Sequence, residues 1–204
     1  MVSDDLPGAD AEYFMTEPSG CVDLYWIPLG AGAHVVRVSG SVFEALSAVV
    51  QRRERCDLYH SALVIEDPEG HFVVEQAPVP DLHGERRGVA AEGPVGVRWA
   101  GRFRLFRYEI RRWRDGQIPD IRAAIGSPVR LTDDPTTAKR ILDLLPSIPT
   151  PTWGRDELHT GEMWNSNSVV SWVLTRSGVD ISTLQPPPGG RAPGWNAGVT
   201  VALR

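Results

Sequence analysis

The chain has 204 residues, 21 basic and 26 acidic, with a formal net charge of −5 and 42% hydrophobic residues. That length suits one domain with a real core, and the acidic balance argues against the basic field that gathers nucleic acid. Cys21 and Cys56, the two cysteines, form neither a disulfide framework nor a metal-ligand spacing.

The start Met1-Val2-Ser3-Asp4-Asp5-Leu6 is acidic, without a basic flank and apolar run. No apolar stretch reaches the ~18–20 residues that cross a bilayer. The expectation is a cytoplasmic protein with reduced thiols, no membrane partner and no nucleic-acid partner. Residues 1–20, with Pro7, Gly8, Pro18 and Gly20 among acidic side chains, read as a draped arm of a single domain spanning 1–204.

Residues 22–29 are apolar enough for a strand, stopped by Gly30-Ala31-Gly32, and 35–38 suggest a second short one. Ser41 opens a helix with the stripe Val42, Leu46, Val49 and Val50. Residues 58–66 read as a buried strand. The turn chemistry of Asp67-Pro68-Glu69-Gly70 and a returning strand at 71–77 make a β-hairpin. Residues 78–97, rich in Pro and Gly, read as a long loop. Residues 97–113 read as one long strand or two short ones, ending at Arg114-Asp115-Gly116; 118–129 fit no single pattern.

Asp133-Asp134-Pro135 is an N-cap with proline in the first turn, followed by an apolar side of Ala138, Ile141, Leu142 and Leu145. Pro146, Pro149 and Pro151 end that helix. Asn165-Ser166-Asn167-Ser168 then meets Val169, Val170, Val173 and Leu174 at helical spacing, with Gly178 at the stop, which predicts a helix over 165–177. Residues 186–190 read as a loop and 199–203 as a last strand. The class is α+β, an antiparallel sheet with packed helices.

A hydroxyl in the first turn of the 165–177 helix lies near the positive end of the dipole and beside free N–H donors. Ser166 there is a candidate nucleophile. Serine needs a base, and the base an orienting partner. His60, inside the 58–66 strand, suits the base role, and Glu75 on the returning strand can hold the imidazole. The Ser166 N–H with the Asn165 side chain would bind an oxyanion. Each residue also has a plain reading: His60 a satisfied core histidine, Glu75 an arginine partner, Ser166 a cap, with Ser168 or Asn165 as alternatives for the cap or the functional group. Trp164 and Asn167, which flank the serine, are candidate substrate-binding residues. Arg191 and Trp195 lie in a Gly-rich loop (189–198) and are candidate substrate-binding residues.

Tyr59-His60-Ser61-Ala62-Leu63-Val64-Ile65, followed much later by Asn165-Ser166-Asn167-Ser168, resembles the circularly permuted papain-like hydrolases. These include NlpC-type and PPPDE-type peptidases and the lecithin retinol acyltransferase group. The overlap covers about residues 58–77 and 160–178. The resemblance implies a histidine strand first and a cysteine at a helix N-terminus last, so His60 falls on the histidine and Ser166 on the cysteine. It implies that the third polar residue comes from the next strand, which points to Glu75, or else to Gln76. It further implies an amide, ester or thioester hydrolase or acyltransferase acting on a small-molecule or peptidyl acyl group, without a cofactor. The departure is serine for cysteine, which leaves open a serine enzyme or a scaffold that kept the pocket and lost the chemistry.

Arg98, Arg102, Arg104, Arg107, Arg111, Arg112 and Arg114 crowd one stretch, interleaved with Phe103, Leu105, Phe106, Tyr108 and Ile110. One reading is a strand with a solvated face. The other is a surface for phosphate, carboxylate or nucleic acid, since arginine forks bind such groups in pairs and Phe106, Tyr108 and Trp113 could stack bases; the acidic chain makes nucleic acid the least favoured of these. This second reading makes the chain an inactive binding module. His34, His71, His83 and His159 lie without metal spacing, and no metal site is expected.

Overall fold

The computed structural model describes residues 20–29, 56–79, 87–118 and 120–204. The expected N-terminal arm, the strand at 35–38, the helix from Ser41, His34 and His83 lie outside them. Seven strands form the sheet: β1 (Cys21–Pro28), β2 (Asp57–Asp67), β3 (Gly70–Pro78), β4 (Val89–Pro94), β5 (Arg107–Arg114), β6 (Val129–Thr132) and β7 (Gly190–Arg191). Their order is β4-β5-β3-β2-β1-β6, every neighbour antiparallel, with the two-residue β7 running parallel to β2. Among the described residues three helices complete the α+β fold: α1 (Pro135–Leu144), α2 (Ser166–Ser177) and α3 (Trp195–Ala202). No helix among the described residues is long and apolar enough to cross a membrane.

Alternation along the strands divides the core into two faces. Val22, Leu24 and Trp26 of β1, Tyr59, Leu63 and Ile65 of β2, Phe72 and Val74 of β3, and Tyr108 and Ile110 of β5 meet the helices. Ile27, Ala62, Val64 and Val73 point the other way and pack with Ile118, Tyr25, Trp113 and Ile121. The sheet is therefore apolar on both faces, which is why 58–66 reads as a continuous apolar run rather than an alternating one.

α1 starts as its sequence predicts, with Asp134 accepting from the N–H groups of Thr136 and Thr137 at 3.0 Å and Pro135 in the first turn. Those bonds, the Thr137 hydroxyl first, hold the Asp134 carboxyl below its ordinary range. α2 ends at Gly178, whose φ of 85° is open to glycine at little cost.

Three expectations are corrected. β4 lies inside the stretch read as a long loop; its Ala, Gly and Pro residues carry little strand propensity, and pairing with β5 holds it. Gly93 is required there, because a Cβ would stand 2.3 Å from the Tyr108 ring. The stretch 97–113 is neither one strand nor two: β5 begins only at Arg107, and two 3-10 turns (Arg98–Arg102 and Arg104–Phe106) precede it. Residues 199–203 are not a strand but belong largely to α3. Their β-branched character yields to a tertiary contact, Gly198 seated so closely on α2 that a Cβ would fall 2.1 Å from the Ser168 carbonyl oxygen.

Candidate functional site

The start of α2 is built almost wholly from reciprocal hydrogen bonds. Asn165 is the N-cap: its carboxamide oxygen accepts from the N–H groups of Asn167 at 2.9 Å and Ser168 at 3.4 Å, and the Ser168 hydroxyl accepts from the Asn165 N–H at 3.1 Å. This is a capping box, in which two free donors of the first turn are satisfied at once. The Asn165 amide also donates to the Pro193 carbonyl at 2.8 Å. The Ser168 hydroxyl donates to the Gly194 carbonyl at 2.7 Å. Asn165 and Ser168 thus close the helix and tie it to the segment that enters α3.

Asn167 does the same toward the sheet. Its amide donates to the carbonyls of Tyr59 and Pro193, both at 2.9 Å, and its oxygen accepts from the Ser61 hydroxyl at 2.9 Å. The two stretches that carry the papain-like resemblance therefore meet in space, through Tyr59, Ser61 and Asn167. Trp164 is buried in the helix-side core and its indole N–H has no partner; Gln76, buried beneath the helices, also has neither amide atom paired.

His60 does not join them. It stands opposite Ile27 in the β1–β2 ladder, and Ile27, Ala62 and Val64 belong to the second face. Because Ser61 reaches α2, the residue before it points away from α2. Ser166 and His60 lie on opposite sides of the sheet. Among the described residues the Ser166 hydroxyl, 7% exposed, makes no hydrogen bond, and neither does the His60 ring. Burial pushes the imidazole below its ordinary value, with the charge of Asp120 acting in the opposite sense.

Glu75 shares the second face and is held by Arg111, opposite it in the ladder, at 2.8 Å. Arg111 also reaches Glu109 at 3.1 Å, and Arg87 lies 3.4 Å from the same carboxylate. All four side chains are buried. Desolvation raises the Glu75 carboxyl and the Arg111 charge opposes that rise. Glu75 is thus an arginine partner in a buried ion network, and the expected hydrogen bond between Glu75 and the His60 ring is not made. Period-two spacing in 107–114, which puts Glu109, Arg111 and Trp113 on one face, is the sequence signal that pointed to this network.

Arg191 and Trp195 do come together, lining a cleft of about 380 Å³ with Glu162, Asn196, Leu184 and Gln185. Ser166 is not part of its lining. Glu162 is already engaged, accepting from the Gly194 N–H at 2.8 Å and the Asn196 amide at 3.0 Å. Trp195 leans on Trp26, ring centres 5.1 Å apart.

The remaining feature is the connection between β4 and β5. From Val95 to Tyr108 it carries four arginines and no carboxylate. Trp99, Phe103, Leu105 and Phe106 project from its two 3-10 turns at 66%, 50%, 81% and 45% exposure. The Arg102 guanidinium lies over the rings of Trp99 and Phe103, 5.3 and 4.9 Å from their centres. Neither Arg102 nor Arg104 has a carboxylate partner among the described residues, whereas Arg98 pairs with Glu157 and Arg107 with Glu92. The backbone is closed: Ala100, Phe103 and Phe106 donate to Val97, Ala100 and Phe103, and Val95 donates to Phe106 at 2.8 Å. Arg155 donates to the Gly96 carbonyl at 2.8 Å, and the Arg107 guanidinium donates to that of Gly101. No group of three potential metal ligands stands together among the described residues. No family model, no curated protein and no solved structure matches this chain.

Proposed function

We propose that this chain is a binding module on a permuted papain-like scaffold, which recognises an anionic partner through the 97–107 connection. The observation that carries the reading is that loop: hydrogen-bonded along its backbone, free of carboxylates, and presenting Arg102 and Arg104 beside exposed aromatic rings. Supporting the scaffold is the docking of the polar start of α2 on the histidine strand through Asn167. Hydrolysis or acyl transfer is disfavoured because, among the described residues, no base stands beside Ser166 and His60 faces away from it. An oxyanion donor without an activated nucleophile does not turn over an acyl group. Arginine without a resident counter-charge is the residue suited to oxyanion partners, and a preformed loop loses little entropy on binding.

The test is retention on immobilised heparin with salt elution. The protein is expected to be retained and to elute earlier as Arg102→Ser/Arg104→Ser, because screening and loss of guanidinium groups weaken the same contact. Passage of the wild-type protein through the column unretained contradicts the proposal.

A further inference from the structure

The geometry points to the surface of an anionic phospholipid bilayer as the partner of the 97–107 connection, an inference that rests on the anion-binding reading. An anion-binding site alone explains the arginines but not Leu105, the most exposed of the large apolar side chains of the described residues, nor Phe103 and Phe106 beside it. A nucleobase uses aromatic faces, and on Trp99 and Phe103 it would share the ring with Arg102, which lies over one side of each. What remains open to a partner is aliphatic and aromatic surface, with guanidinium groups at its border.

An anionic bilayer offers both halves of the match. Headgroup phosphates attract basic groups near the surface, and the boundary beneath them takes Trp, Phe and Leu side chains to a shallow depth. Arginine keeps its charge at headgroup level while its stem lies along the apolar side chains. The loop is positioned for this: it is the tip of the β4–β5 hairpin, and β4 is a terminal strand of the sheet. Many of its backbone bonds are internal or go to Trp153 and Arg155, which limits the number of peptide groups that a shallow insertion must take out of water. That no helix can span a bilayer bears only on crossing, not on resting against it. The chain's net charge of −5 opposes general adhesion to an anionic surface, so attraction must come from this local patch.

The experiment is co-sedimentation of the full-length protein with vesicles of phosphatidylcholine alone and of phosphatidylcholine mixed with phosphatidylglycerol, alongside heparin retention. The protein is expected to sediment with the mixed vesicles only. Arg102→Ser/Arg104→Ser should weaken that binding about thirtyfold, at roughly 1 kcal/mol per basic residue near the surface. Phe103→Ser/Leu105→Ser should also lose vesicle binding yet keep heparin retention, which separates insertion from simple charge pairing. All substituted side chains are exposed, and unchanged circular dichroism confirms that the variants fold. Heparin retention without vesicle binding overturns the lipid assignment and leaves the anion-binding reading standing. Loss of both overturns both. Equal binding to the two vesicle types, or full vesicle binding by Phe103→Ser/Leu105→Ser, also overturns the lipid assignment.

Discussion

The start of α2 and the β4–β5 connection both stand out as unusual sequence, yet the fold treats them in opposite ways. At the start of α2 the polar groups are used internally: Asn165, Asn167 and Ser168 spend their donors and acceptors on the helix, on β2 and on the entry to α3. In the connection the hydrogen bonds lie in the backbone of the two turns, while the side chains of Trp99, Arg102, Arg104 and Leu105 face outward. Residue type marks a candidate; the partners already taken decide whether it has anything left for a ligand. The arginine run divides along the same line, Arg111 being enclosed by Glu75 and Glu109 while Arg104 has no carboxylate partner among the described residues.

The largest expected effect sharpens that division. Arg111→Met leaves Glu75 buried without the cation that holds it and Glu109 with Arg87 alone, and should cost about 3–5 kcal/mol in urea unfolding. Arg104→Met should leave the midpoint within about 0.5 kcal/mol, as for a surface change. Next is Asn167→Ala, which removes this partner from the buried Tyr59 carbonyl and the Ser61 hydroxyl and leaves the Pro193 carbonyl to Asn165 alone. A loss of about 2 kcal/mol is expected at roughly 0.5–1.5 per bond, and an unchanged midpoint would break the structural reading of the helix start.

A smaller effect follows from the histidine's place on the second face. Burial holds the His60 imidazole below its ordinary value of 6.5, so the unfolded chain takes up this proton first as pH falls. Its contribution is intact above about 6.5 and is lost progressively below it, until the folded imidazole titrates as well. Glu75, raised by burial against the pull of Arg111, has the reverse sign, favouring the folded state below its own pKa. The urea midpoint should fall between about pH 7 and pH 5.5 more steeply in the wild-type protein than in His60→Gln. Identical slopes would remove His60 from the account.

The smallest effect is at Ser166. Its hydroxyl is unpaired and Asn165 does the capping, so Ser166→Ala should change stability by no more than about 0.5 kcal/mol. Intact-mass analysis after treatment with a fluorophosphonate should show no adduct on this serine. An adduct that disappears in His60→Ala would restore the catalytic reading.

Much of the fold was legible because it rests on local chemistry. Asp134-Pro135 and Asn165 with Gly178 announce α1 and α2, and Asp67-Pro68-Glu69-Gly70 announces the β2–β3 hairpin. Tertiary contacts overrode propensity where the reading failed. Val199 and Val201 suggest a strand, yet the seat of Gly198 on Ser168 makes the segment helical. The catalytic set failed on a parity the sequence contains but does not orient. His60 and Ser61 are neighbours, so one of them faces α2, and only the structure shows that it is Ser61. The loop was legible in composition but not in conformation, since its arginines and aromatics fit an alternating strand equally well.

The most direct test sets the two regions side by side in one assay. Heparin retention is measured for the wild-type protein, Ser166→Ala and Arg102→Ser/Arg104→Ser. The account predicts the same salt elution for wild type and Ser166→Ala, and earlier elution for the arginine variant. Loss of binding in Ser166→Ala with binding kept in the arginine variant would place the functional surface at the start of α2 and contradict it.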